Sequence, residues 1–290
     1  MAVDLHTHST SSDGSEAPSE VIRLAANAGL SAVALTDHDI LAGLGEAREA
    51  AERYDLELVP GVELSLDWAS LAPDADHRGG MHLVVLWVDD EPGPLQDRLA
   101  DLRLGRDERN QLILERLAQL GIDIPMEEVL ARAGDGSVGR PHIAGVMVDR
   151  GHVPDIATAF ELYLGSGAPA YVPRRRLTVD EALSLARASG GVPVLAHPHT
   201  LGLEDDSKLE DLLRHLHSTG LISVETHHSA TEPERRRILR RMADRVGLLP
   251  SGGSDFHGTY KPGIHVGVGC GDLHVPDEFL EGLRAQRAVV

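Results

Sequence analysis

Short apolar runs alternate along this chain with amphipathic segments of helical length, and that rhythm limits its fold more than any other feature. Ala2–His6, Ala32–Thr36, Leu56–Val62 and Met81–Val88 read as strands. Between them lie two helical patterns, Pro18–Gly29, with Pro near its start and Gly at its end, and the Ala-rich Leu41–Tyr54. Strand and helix in strict alternation build a mainly parallel sheet with helices outside it. From about Leu95 to Gly167 the rhythm changes. Apolar residues there recur at helical spacing (Leu99, Leu102, Ile113, Leu117, Leu120, then Val129, Ile143, Val146, Met147) with no strand-like run among them. After Pro173 the alternation resumes with helix Val179–Ser189, strand Val192–Ala196, helix Ser207–Thr219, strand Ile222–Glu225, helix Glu232–Val246 and strand Leu248–Ser251, for seven expected strands up to this point. The Gly-rich stretch Gly263–Gly271 reads as a short strand bounded by turns, and Pro276–Gln286 as a closing helix. The expected organisation is one α/β domain formed by residues 1–94 and 168–290, interrupted by a helical insertion over 95–167 that would serve as a lid or substrate-specificity element.

Composition narrows the partners. With 46 Asp and Glu against 27 Lys and Arg, a net of -19, the chain repels polyanions, so long nucleic acid and anionic membranes are not expected partners. No run approaches the roughly 18 apolar residues of a membrane span, and nothing at Met1–His6 resembles a secretory leader. A soluble, cytoplasmic protein is expected, in keeping with the single cysteine, Cys270. The anomaly is histidine. Sixteen are present, and imidazole is the commonest metal ligand among side chains.

Their placement follows the strand pattern. In parallel α/β folds the strand fixes the backbone and the loop after it opens to solvent, so chemistry gathers at strand ends. His6-Thr7-His8 ends the first expected strand, and alternate residues of an extended segment point the same way, so both imidazoles can reach one ion. Asp13 follows in the loop. Thr36-Asp37-His38-Asp39 ends the second strand and Gly61-Val62-Glu63 the third; His82 starts the fourth; Ala196-His197-Pro198-His199 and Gly253-Ser254-Asp255-Phe256-His257 end later ones. One His-x-His is weak evidence of a metal site, since such residues are usually hydrogen-bonded polar groups. Five strand ends with His, Asp or Glu are stronger evidence, because Asp13, Glu63 and Asp255 would repel one another without cations between them.

Taken together, these motifs resemble those of the PHP (polymerase and histidinol phosphatase) family, in particular its stand-alone nucleotide phosphatases, over nearly the whole chain. The resemblance implies a distorted (β/α)7 TIM-like barrel with a helical insertion domain, binding up to three divalent ions, Mn, Fe or Zn. It places His6, His8, Glu63 and Asp255 around one ion; Glu63, His82 and His197 around a second; and Asp13, His38 and His257 around a third. Glu63, Asp255 and Asp13 become the catalytic carboxylates. Asp37 and Asp39 read as partners of the ligating imidazoles or as helix caps. In Gly139-Arg140-Pro141-His142, Arg140 is the expected phosphate clamp with His142 beside it, although the same residues also suit a plain helix start. His199 and His228 are expected to line the pocket. Arg174–Arg176 could approach substrate, but more often such a run is a solvated edge. The tract Glu234–Arg245 is most simply the polar face of an outer helix, although it is the best basic patch for nucleic acid, and His77, His152, His215, His217, His265 and His274 read as exposed or locally hydrogen-bonded.

The activity implied is hydrolysis of phosphate from a small phosphorylated substrate, a nucleoside monophosphate or 3',5'-bisphosphate. Histidinol phosphate and attack at RNA 5' ends remain open, as does a catalytically silent accessory module. A barrel amidohydrolase would also begin with His-x-His, but many bridge their metals through a strand-end lysine, and neither Lys208 nor Lys261 holds such a place.

Overall fold

The computed structural model describes residues 1–71, 80–88, 90–133, 138–203 and 205–287; His77 lies outside the described residues. Two compact units result, one of Met1–Asp97 with Arg176–Val290 and one of Arg98–Arg175.

In the larger unit, β1 (Val3–Asp4), β2 (Ala32–Leu35), β3 (Glu57–Asp67) and β4 (Met81–Leu86) form the first half of the sheet, with helices α1 (Pro18–Asn27) and α2 (Leu44–Tyr54) between the early strands. Pro18 opens α1 at a position where its missing N–H costs nothing, and Val21, Ile22 and Ala25 bury one face. On α2 the buried face is Leu44, Ala47, Ala50 and Ala51, one helical stripe. The second unit contains α4 (Met126–Ala133), α5 (Arg140–Asp149), α6 (Ile156–Ala159), a π-helical turn at Phe160–Leu164, and most of α3 (Pro94–Gln119). It has its own apolar core, including Ile113, Leu117, Val129, Ile143, Met147 and Leu164. The chain then returns to the larger unit through β5 (Leu177–Thr178), α7 (Val179–Ala188), β6 (Val192–Leu195), α8 (Asp206–Thr219), β7 (Ser223–His228), α9 (Pro233–Val246), β8 (Leu249–Gly253) and α10 (Asp277–Arg287). Side-chain caps start two of these helices: Thr178 accepts from Glu181 N at 3.3 Å, and Asp205 from Ser207 N at 2.8 Å.

Seven strands lie side by side in the order β1-β2-β3-β4-β6-β7-β8. The ring closes onto its start through Leu5 N to Gly252 O (3.1 Å), Asp255 N to His6 O (2.9 Å) and His8 N to Phe256 O (3.0 Å). The fold is thus a seven-stranded α/β barrel, TIM-like but irregular. Its apolar core draws Val3, Leu5, Val59, Val84, Leu86, Val192 and Val194 from the strands and Phe279, Leu280 and Leu283 from α10. Burying each such side chain stabilises the fold by about 1.5–3 kcal/mol. Among the described residues no helix is long and apolar enough to cross a membrane.

Three local expectations change. First, β4 runs antiparallel to both neighbours, β3 and β6, so the parallel order is interrupted at the centre. Second, β3 continues to Asp67; Glu57–Pro60 pair with β2, Gly61–Leu66 with β4, and its tip with the two-residue β5, which the sequence pattern did not mark. Glu63 therefore sits within a strand and not at its end. Third, Gly263–Gly271 forms turns joined by a single His265–Gly269 bridge, because glycines 263, 267, 269 and 271 all take positive φ, which bends the chain out of any strand.

Candidate metal centre

The reversal of β4 explains a lone histidine. Because this strand runs backwards, its first residues lie at the end of the barrel where the parallel strands finish. Ser65 pairs with His82 and Glu63 with Val84, so Glu63 and His82 share one face of the antiparallel pair, two residues apart. His82 Nδ1 lies 2.9 Å from Glu63 Oε1.

Glu63 is the hub. Fully buried, it turns Oε1 to His82 Nδ1 and to His197 Nε2, each at 2.9 Å. Its other oxygen, Oε2, faces His38 Nδ1 at 3.0 Å, His8 Nε2 at 3.1 Å and His6 Nε2 at 3.3 Å. Asp255 Oδ1 joins the second group, 3.4 Å from His8 Nε2 and 3.7 Å from His6 Nε2. Asp13 stands at the rim, with its oxygens 3.3 Å from His257 Nε2, 3.6 Å from His38 Nε2 and 3.7 Å from His8 Nδ1. Ligand atoms of His8, Asp13, His38 and His257 fall within 4.8 Å of one another, as do those of His6, His8 and Glu63, and of His38, Glu63 and His82. All nine residues expected from sequence to hold ions are therefore brought into one cluster.

The donor set suits divalent cations. His8 Nδ1, His38 Nδ1 and Glu63 Oε2 are buried and, for all their short separations, make no well-aligned hydrogen bond, a costly state that an ion with nitrogen and oxygen ligands would relieve. Electrostatics agree. Burial alone would raise Glu63 and Asp255, yet the surrounding imidazoles hold both well below the usual carboxylate range. Burial disfavours a charged His8, but Asp255 and Glu63 outweigh it and raise this imidazole to about 10. Protons fill in, in part, for the positive charge the site demands.

Other side chains fix this cluster in place. Asp37 accepts from Ser9 N (2.8 Å), Ser9 Oγ (2.7 Å) and Ser12 Oγ (2.6 Å), holding the loop that carries Asp13, while Asp39 Oδ1 accepts from Ser65 N at 3.1 Å. These bonds go to serines of neighbouring segments, where the sequence suggested ligating imidazoles or a helix start. His197 (φ 27°) and Asp255 (φ 54°) occupy the left-handed region, a strain that tends to persist where the surroundings over-determine it.

Four contributors had not been singled out. Buried Glu225 takes His6 Nδ1 at 2.8 Å on Oε1 and the His197 backbone N–H at 2.6 Å on Oε2. Asp4, its carboxyl pushed up by burial, accepts from the backbone N–H groups of His6, Ser254 and Gly267 and so joins three segments. Thr200 Oγ1 meets His197 Nδ1 at 3.0 Å. Lys261 Nζ pairs with Asp255 Oδ2 at 2.6 Å. Only Glu225 had a usable signal, a carboxylate inside an apolar strand just before two histidines.

A cavity of about 310 Å³ opens onto the cluster, and His199, Thr200, His228 and Lys261 line it beside Glu63 and Asp255. Arg140 and His142 belong to the helical unit and make contacts within it. The Arg140 guanidinium donates to Leu164 O at 2.8 Å and lies over the Phe160 and Tyr171 rings, while His142 Nδ1 accepts from Gly139 N at 3.1 Å as a helix cap. Arg175 is largely exposed, 3.9 Å from Glu108. His152, His215, His217, His265, His274 and Cys270 are exposed.

Comparison with known proteins fits this geometry. The PHP domain profile matches residues 4–123. The 3',5'-nucleoside bisphosphate phosphatase of Chromobacterium violaceum is 33% identical over 274 residues, covering 91% of this chain and 90% of that protein. The 5'-3' exoribonuclease Rnm of Escherichia coli is 34% identical over 256 residues, covering 88% and 84%. A Bifidobacterium adolescentis crystal structure, described as that of a metal-dependent phosphoesterase, matches with a TM-score of 0.79 at 30% identity, over 98% of this chain and 96% of the other.

Proposed function

This chain belongs to the PHP family, and from that premise we propose that it is a metal-dependent phosphoesterase releasing phosphate from a small phosphorylated substrate, a nucleoside monophosphate or 3',5'-bisphosphate. The observation that carries the reading is Glu63, a fully buried carboxylate whose two oxygens face two different sets of imidazoles. A lone structural glutamate needs one partner; this one is arranged to be shared. In the proposed assignment His6, His8, Glu63 and Asp255 hold one ion, Glu63, His82 and His197 a second, and Asp13, His38 and His257 a third, the metals being Mn, Fe or Zn. Divalent ions held there supply Lewis acidity toward phosphoryl oxygens and lower the pKa of bound water.

The protein's own groups orient the rest. Glu225 keeps the His6 proton on Nδ1, leaving Nε2 as a lone pair for an ion. Asp37 fixes the Asp13 loop. His199 lines the cavity in its neutral form, its pKa lowered to about 4 by burial and by the neighbouring His228 and His197, so it offers a hydrogen bond without a fixed charge. Arg140 and His142 are kept as proposed phosphate-binding residues. Among the described lining residues there is no Phe, Tyr or Trp.

The test is phosphate release from AMP, a 3',5'-bisphosphate, histidinol phosphate and an oligoribonucleotide by Mn-reconstituted protein. Turnover of the nucleotides ahead of histidinol phosphate is expected. Release from the oligoribonucleotide alone would move the function to RNA ends, and no release from any would leave a silent module.

A further inference from the structure

His228 reaches the cavity through a break in strand register. Along β7, Glu225 pairs with Ser251 of β8, but the next pairs are His227 with Gly252 and His228 with Gly253, so Thr226 is bulged out of the ladder. In an unbroken strand His228 would face away from Glu225. The extra residue restores it to the same face, toward the cluster.

Its ring then has only one way to carry a proton. The backbone N–H of Ala230 donates to His228 Nδ1 at 3.1 Å, and an amide N–H can only donate, so Nδ1 must be the bare nitrogen and Nε2 the N–H. That N–H is buried, at a residue only 4% exposed, and has no acceptor. The nearest candidate, Asp255 Oδ2, lies 3.4 Å away but is not placed to accept along the N–H, and it faces Lys261 Nζ at 2.6 Å. A donor of this kind, left unsatisfied, costs roughly 1–3 kcal/mol. The cavity wall thus presents a pre-aimed N–H with an ammonium beside it, and among the described lining residues Lys261 is the only Lys or Arg.

We propose that His228 and Lys261 together bind the phosphoryl group of the substrate, His228 Nε2–H donating to a non-bridging oxygen while Lys261 balances its charge and keeps Asp255 from capturing the His228 proton. Asp255 turns Oδ1 to the cluster and Oδ2 to this pair, so the oxygens they meet belong to the phosphoryl group next to the proposed ions and not to a remote part of the ligand. The inference rests on the phosphoesterase reading for the identity of the ligand, and on geometry for the donor pair. Both are substrate-binding roles, with no bond made or broken at either residue.

The probe is inorganic phosphate, titrated calorimetrically into metal-loaded wild type, His228→Phe, Lys261→Met and Lys261→Arg, with metal content measured for each. The expected result is at least tenfold weaker phosphate binding in His228→Phe and Lys261→Met at unchanged metal content, with partial rescue by Lys261→Arg. In turnover the same two variants lose at least tenfold in kcat/KM. A second measurement needs no variant: nitrogen-15 imidazole spectra of the Zn-loaded protein should show His228 protonated on Nε2. Wild-type phosphate affinity in His228→Phe, or a proton on Nδ1, overturns the proposal. A wild type that binds phosphate through this pair yet hydrolyses no phosphoester would instead sink the enzymatic reading and leave the donor pair standing. Wild type that binds no phosphate sinks the pair.

Discussion

Replacing Glu225 by glutamine changes no shape and removes one lone-pair surface, which makes it a sharp probe of how the cluster is set. Glu225 Oε1 receives the His6 Nδ1 proton at 2.8 Å and Oε2 the His197 backbone N–H at 2.6 Å. Glutamine has one acceptor and one donor in place of two acceptors. If its oxygen stays on the His197 amide, its NH₂ faces His6 Nδ1, which must then accept, and the His6 proton moves to Nε2. That atom lies 3.3 Å from Glu63 Oε2 and is the one turned to the ion site. If the amide flips, its NH₂ meets the His197 N–H and leaves a buried donor unpaired, at about 1–3 kcal/mol. Either way a ligand is lost or dislodged. Losing the carboxylate behind a metal-bound imidazole typically weakens metal binding 10–100-fold, which is about 1.4–2.8 kcal/mol. Competition titration of Mn or Zn against a chromogenic chelator, with circular dichroism to certify the fold, is the assay. A correctly folded Glu225→Gln protein with wild-type metal affinity would refute the view that Glu225 sets the His6 tautomer.

Glu63→Gln should lower turnover more than any single histidine-to-alanine change, because it faces two sets of imidazoles at once; a variant with full metal content and full kcat contradicts the bridging assignment. Asp37→Ala removes three hydrogen bonds from the Asp13 loop and should cost roughly 3 kcal/mol of stability, read as a lower chemical-denaturation midpoint at unchanged slope. In chelator-treated protein, the His8 imidazole is raised to about 10 against an unfolded value of 6.5, so its contribution is complete below pH 6.5 and fades as pH climbs through 10. The melting temperature of that metal-free form should therefore drop between pH 6.5 and 10; a flat profile rules the argument out. Adding the divalent ion back at pH 7.5 should raise the melting temperature in a concentration-dependent way, as binding to the folded state alone demands.

Residues with strong local signatures were legible in the sequence. His6, His8, His38, His197, Asp255 and His257 sit in compact motifs at the ends of apolar runs, and a side chain at a strand end has few places to go. Direction was not legible. Apolar alternation reads the same along a strand in either sense, so the reversal of β4, which brings His82 to the mouth of the barrel, had no local trace. The extension of β3 past Glu63 was hidden for a similar reason, since its second half gains partners only from distant strands. Glu225 and Asp4 escaped because each works through a neighbour far away in sequence, and Lys261 because its partner Asp255, six positions back, is reached across turns that carry no periodic mark. Asp4 meets Ser254 across 250 positions and Glu225 meets His6 across 219. The π-helical turn and the bulge at Thr226 arise from packing and leave no periodic mark.

The backward run of β4 also has a temporal side. Glu63 and His82 are 19 positions apart, whereas the contact of Glu63 with His197 spans 134 and that of Asp4 with Ser254 spans 250. A hairpin pays little loop-closure entropy and forms early, while pairings of such span must wait. During synthesis the ribosome would thus release a chain in which Glu63 can already meet His82, with His6, His8, Asp13 and His38 made before them, but in which Asp255, His257 and the closing strand are still missing. Any scavenging of ions by the nascent chain would rely on this incomplete set and tighten only when the last strand docks, so completion of the barrel and completion of the binding site become the same kinetic event.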